Sequence, residues 1–115
     1  MKINGLFRNA RETRAIAVGA TIFLQGETGA EMYGIVEGEV ELRTDHGVIA
    51  KLTTDDVFGE MALVDSSPRM ATAVATTNTV LAVIDRRQFL FLVHETPTFA
   101  LQVMSAMADR LRARG

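Results

Sequence analysis

Phe58-Gly59-Glu60-Met61-Ala62-Leu63-Val64, then Asp65-Ser66-Ser67, then Pro68-Arg69-Met70-Ala71-Thr72, is the run that concentrates the chain's chemistry. Gly59 permits close backbone approach or an unusual φ where a strand gives way to a turn. Met61–Val64 suits one short helical turn, whose first N–H groups lack internal partners and face outward with the local dipole. Arg69 follows nine residues after Glu60, is stiffened by Pro68, and can fold back over the same spot. Its planar fork matches two phosphate oxygens at once. Glu60 is unsuited to a phosphate and better suited to accept from a sugar hydroxyl. Together these residues describe a ribose-phosphate pocket. The same residue types also read as an ordinary turn followed by an ion pair, and nothing local separates the two readings.

Between Arg14 and Ile84 the sequence is punctuated every 6 to 12 residues by glycine, Asp-Asp or Thr-Asn. The pieces between are short and rich in Val, Ile, Thr and aromatics, the composition of strands. Val40 and Leu42 alternate with Glu39, Glu41 and Arg43, so one face is buried and the other wet. Asp45-His46-Gly47 reads as a tight turn. After the arginine, Ala71, Ala73 and Ala75 share one face, and Val80–Ile84 is apolar throughout, as in a strand covered on both sides. Many short strands at this spacing predict an antiparallel sandwich or barrel.

Beyond Ile84 the period changes. Asp85 is a good N-cap for a helix over Arg86–Glu95, and Thr96-Pro97 ends it and starts another. In that last helix Leu101, Met104, Ala108 and Leu111 mark an apolar stripe, widened by Val103 and Met107 and expected to face the core. Arg110, Arg112 and Arg114 fall in its final turns, where cations suit the helix dipole. The stretch Ile3–Glu12 is expected to form a short N-terminal helix.

Composition narrows the function classes. The 115 residues make one domain, 1–115, with 48% hydrophobic residues to build a core. A net charge of -2 and no basic block argue against nucleic-acid binding. No apolar run approaches bilayer length and no signal-peptide pattern opens the chain, so a cytoplasmic protein without membrane association is expected. Cysteine is absent. His46 and His94 lie far apart without carboxylates at ligand spacing, which argues against a metal centre. Ser66-Ser67 has no nucleophile context, and no enzyme is expected.

Phe58–Val64 with Pro68–Thr72 resembles the phosphate-binding cassette of the cyclic nucleotide-binding domain family, that of the catabolite activator protein and the regulatory subunits of protein kinase A. Gly19–Glu27, Gly29, Met32-Tyr33 and Ile35–Val40 resemble the family's glycine-punctuated β-roll start, and the likeness runs from about Ala15 to Arg112. It implies a mainly β fold, an antiparallel jelly-roll-like β-roll with a short N-terminal helix and two C-terminal helices.

The resemblance also implies roles. Glu60 would accept from the ribose 2′-hydroxyl and Arg69 would pair with the exocyclic phosphate oxygens. Backbone N–H groups of Gly59, Met61 and Ala62, with Ala71 nearby, would complete the cradle, and Phe58, Leu63 and Val74 would form its apolar wall. Met70 stands where a hydroxyl residue is frequent in members that prefer cGMP, so cAMP is the expected ligand, with no metal. No residue is assigned as the purine cap. No helix-turn-helix, kinase or channel segment follows Gly115, so a stand-alone sensor is expected, signalling through its C-terminal helices to an effector protein or to a second copy paired along the last helix. The alternative is an interaction module with the cassette retained but unoccupied.

Overall fold

The strand-rich half folds into two four-stranded sheets, and each alternation in the sequence is used by one of their faces. The computed structural model describes residues 1–114; Gly115 and the side chain of Arg114, the last of the expected helix-end cations, lie outside the described residues. The strands are β1 (Thr13–Ile16), β2 (Thr21–Phe23), β3 (Met32–Glu37), β4 (Val40–Thr44), β5 (Gly47–Leu52), β6 (Val57–Phe58), β7 (Thr72–Ala75) and β8 (Thr79–Ile84). A single helical turn, α1 (Met61–Val64), interrupts them, and α2 (Arg86–Glu95) and α3 (Thr98–Arg114) follow. One sheet has the order β1-β8-β3-β6 and the other β2-β7-β4-β5, with antiparallel pairing throughout. This is the expected β-roll.

Between the sheets Tyr33, Ile35, Val40, Leu42, Leu52, Phe58, Leu81 and Val83 form one apolar cluster. The opposite face of the first sheet presents Met32, Val57, Ala82 and Ile84, which pack on Phe7, Phe99, Val103 and Ala106. β8 therefore has no wet face: Leu81 and Val83 point into the roll, Ala82 and Ile84 toward the helices. At about 1.5–3 kcal/mol per large buried side chain, leaving that second face in water would undo the domain. Asp85 caps α2 as expected, its side chain accepting from Gln88 N at 2.8 Å.

Two expectations are corrected. Ile3–Glu12 is not a helix but a series of turns, with Leu6 N donating to Ile3 O, Arg8 N to Gly5 O and Ala10 N to Phe7 O. Gly5, at φ +72°, breaks any continuous helical ladder. On α3 the stripe Leu101, Met104, Ala108 and Leu111 does not face the core: Leu101, Met104 and Leu111 are more than half exposed. The buried face carries Phe99, Gln102, Val103, Ala106 and Arg110 instead. Gln102 is tolerated there because its Nε2 donates to Asp55 O at 2.7 Å, and Arg110 because it bonds two carbonyls. Two polar residues hid the packed face from a reading by hydrophobicity.

Phe7 lies so close over β3 that a Cβ on Gly34 would stand 2.6 Å from its ring carbons. Gly34→Ala is therefore expected to destabilise the domain by about 1–3 kcal/mol through overpacking, read as a lower midpoint in thermal or urea unfolding. Trimming the ring in Gly34→Ala/Phe7→Leu should cost less than the two single changes added together.

Candidate functional site

β6 ends at Phe58, and the chain turns through Gly59 at φ +78° into α1. That left-handed conformation suits glycine, and a Cβ there would stand 2.9 Å from Nη1 of Arg69. Arg69 is held from its backbone outward: Arg69 N donates to Glu27 O and Gly26 N to Arg69 O, both at 2.8 Å. These bonds tie the segment before β7 to the β2–β3 connection. The side chain then crosses back, Nη1 donating to Gly59 O at 3.1 Å, with Cζ 4.3 Å from the centre of the Phe23 ring. At Gly29 there is likewise no room for a Cβ against the guanidinium.

Glu60 sits beside this arginine and is buried, with Oε1 lacking any hydrogen-bond partner. Desolvation pushes its carboxyl above the ordinary range, against the opposing pull of Arg110, its own backbone and Arg69. Glu60 and Arg69 form no ion pair, so the turn-plus-ion-pair reading does not describe this site. Each keeps capacity for something else. Burial likewise presses the Arg69 guanidinium below its usual value, opposed by Tyr33, Glu31, Glu27 and Glu60.

These residues surround a pocket that opens to solvent, with about 440 Å³ of empty space once the solvent at its mouth is included. Gly59, Glu60, Met61, Ala62, Arg69, Met70 and Ala71, all candidates from the sequence, line it together. Phe58 does not: it is fully buried between the sheets, its ring 5.4 Å from Tyr33 and 5.9 Å from Phe23. Leu63 packs toward the helices rather than the pocket, and Val74 is likewise outside its lining. A strand-end aromatic and a helical-turn leucine look equally suited to wall or core until the neighbouring sheet is placed.

Phe23, Leu42, Ile49, Pro68 and Arg110 also line the pocket and were not expected there. Arg110 is the most consequential. It enters from α3, donates from Nη2 to Val57 O at 2.5 Å and from Nη1 to Ala106 O at 3.3 Å, and leaves Nε without a partner. In the sequence it was one of three arginines near a helix end. Its one distinguishing signal was its place eleven residues after Phe99, on a helical face with Gln102, Val103 and Ala106.

Comparison with known proteins agrees with this geometry. The profile described as "Cyclic nucleotide-binding domain" matches residues 13–96. The Cyclic AMP receptor protein of Thermus thermophilus is 36% identical over 106 residues, covering 88% of this chain and 49% of that protein. The crystal structure of the Thermus thermophilus Catabolite Activator Protein superposes with a TM-score of 0.74 at 31% identity, over 95% of this chain and 59% of that one. A chain solved for a cyclic-GMP-dependent signalling pathway that regulates bacterial phytopathogenesis superposes with a TM-score of 0.73 at 27% identity, over 92% of this chain and 87% of that one. The chain belongs to the cyclic nucleotide-binding domain family, and it spans about half the length of the curated relative from Thermus.

The raised Glu60 value has a sign for stability. The folded protein holds this proton to a higher pH than the unfolded chain does, so stability falls as pH rises from the ordinary value of 4.5 through the folded one. Glu60→Gln, neutral at every pH, is expected to melt a few degrees above the wild type near neutral pH. The gap should close in melts run below about pH 4.5, where both forms are uncharged.

Proposed function

We propose that this member of the cyclic nucleotide-binding domain family is a regulatory domain rather than an enzyme, holding a cyclic nucleotide at Gly59, Glu60 and Arg69 and passing its presence to α3. The observation that carries the reading is the unspent bonding of the site: a buried carboxylate oxygen without a partner beside a guanidinium bonded to one carbonyl. A cyclic phosphate supplies oxygens for the guanidinium and its ribose supplies a hydroxyl for the carboxylate. cAMP is favoured over cGMP because Met70, which lines the pocket, brings no hydroxyl to the base.

Arg110 makes α3 part of the site. It draws on Glu60 electrostatically and bonds Val57 O, two residues upstream of Gly59. A ligand hydroxyl that engages Glu60 changes what Arg110 faces, so an arrangement of α3 that keeps Arg110 in the pocket and one that withdraws it would bind ligand unequally, the condition for a switch. Outward from this face, Leu101, Met104, Ala108 and Leu111 repeat at the three- and four-residue spacing of a coiled-coil seam, with three of the four more than half exposed. A second copy of the chain, paired along that seam, is the partner we favour over an effector protein.

A second reading, an interaction module whose cassette stays vacant, is favoured by Met70, a long apolar side chain in the pocket lining. Calorimetric titration with cAMP and with cGMP separates the two. Binding of cAMP, tighter than cGMP and weakened at least tenfold in Arg69→Ala, is the outcome expected for a charge-assisted pair of about 1.5–3 kcal/mol. No binding by the wild type at micromolar protein, or an unaffected Arg69→Ala, overturns the sensor reading. Separately, sedimentation should find a dimer that Leu101→Asp with Met104→Asp converts to a folded monomer; a monomeric wild type removes the seam proposal.

A further inference from the structure

The reading above makes Arg69 the phosphate ligand, and the present inference rests on it: we infer that Phe23 is the positioning residue that holds the Arg69 guanidinium ready while leaving its donors free. Among the described residues the side chain of Arg69 makes a single hydrogen bond, from Nη1 to Gly59 O. One bond at one end of a planar group leaves it free to pivot. Three carboxylates, Glu27, Glu31 and Glu60, all attract it. A pivoting guanidinium would settle on one of them and lose the donors a phosphate needs.

The ring of Phe23 prevents this. It lies 4.3 Å from Arg69 Cζ, against 5.8 Å for Tyr33, so it is the aromatic face in contact. A ring face attracts the cation without offering an oxygen to its N–H groups, unlike a carboxylate. Phe23 is itself fixed, packed on Tyr33 and Phe58 at 6.1 and 5.9 Å. Gly29 also lies against this group, where any Cβ would strike the guanidinium. Two of the three competing acids are also occupied: Glu27 accepts from Leu24 N at 2.6 Å, and Glu31 accepts from the Tyr33 hydroxyl at 3.2 Å and pairs with Arg14 at 3.5 Å. Binding then needs no reorganisation of Arg69.

Titration of cAMP into wild type, Phe23→Leu, Arg69→Gln and the double variant, with 15N spectra of the arginine Nε–H groups, tests this. Phe23→Leu should weaken cAMP about tenfold, and add no further loss in the Arg69→Gln background. Without nucleotide, the Arg69 Nε–H resonance of the wild type, assigned by its absence from Arg69→Gln, should carry an upfield ring-current shift. Wild-type affinity in Phe23→Leu, an equal loss in both backgrounds, or an unshifted Arg69 Nε–H overturns the inference. If the wild type binds no cyclic nucleotide, the sensor reading fails, and the ring-current shift still decides whether Phe23 holds Arg69. Should Phe23→Leu not fold, the wild-type shift decides it in the same way.

Discussion

The sheet β1-β8-β3-β6 is apolar on both sides, and the arrangement of the rest of the chain follows from having to cover it twice. The second sheet covers one face with Val40, Leu42 and Leu52. The other is covered by Phe7 from the N-terminal turns and by Phe99, Val103 and Ala106 of α3. Because α3 must lie against β6 to do this, its continuation carries Arg110 to Val57 O and to the edge of the pocket. A packing requirement of the core thus places a cation from the last helix beside a carboxylate from the cassette. The proposed communication between ligand and helix rests on that link.

The site departs from the economy of the core. Glu60 is a buried carboxylate with an unpartnered oxygen, and Arg69 is a buried cation whose attraction to three acids ends in no ion pair. Such groups cost stability, since burial of a polar group without a partner is unfavourable. Proteins keep them where binding depends on them. The glycines at 29 and 59 and the ring of Phe23 hold Arg69 in this poised state, and the backbone pair with the β2–β3 connection fixes where it starts.

Much of the fold was legible because its signals are local. Alternation in Val40–Arg43, the apolar run Val80–Ile84 and the cap at Asp85 each follow from a period or from one side chain's reach to a nearby backbone group. The same holds for seven candidate residues: Gly59, Glu60, Met61, Ala62, Arg69, Met70 and Ala71 lie within thirteen positions and line one pocket. The departures have separate causes: Gly5, at positive φ, breaks the N-terminal helical pattern locally, whereas the most apolar stripe of α3 is not the face it buries. Its packed face contains Gln102 and Arg110, whose burial depends on carbonyls of Asp55 and Val57 some fifty residues away.

What the sequence determined by itself is what period, turn chemistry and short spacing carry: an antiparallel sandwich or barrel of short strands followed by two helices, and a glycine turn with an arginine nine residues beyond its glutamate; the resemblance to the family narrowed the barrel to a β-roll. Tertiary structure alone decided which helix face is buried, that Phe58 belongs to the core and Phe23 to the pocket, and that Glu60 and Arg69 stay apart. The cassette Gly59–Glu60–Arg69 was visible as a list of groups with the right chemistry. Its readiness was not, because an ion pair and a poised pair contain the same residues. Only the surroundings of each charge, an aromatic face, two bare glycine backbones and a distant arginine, distinguish them.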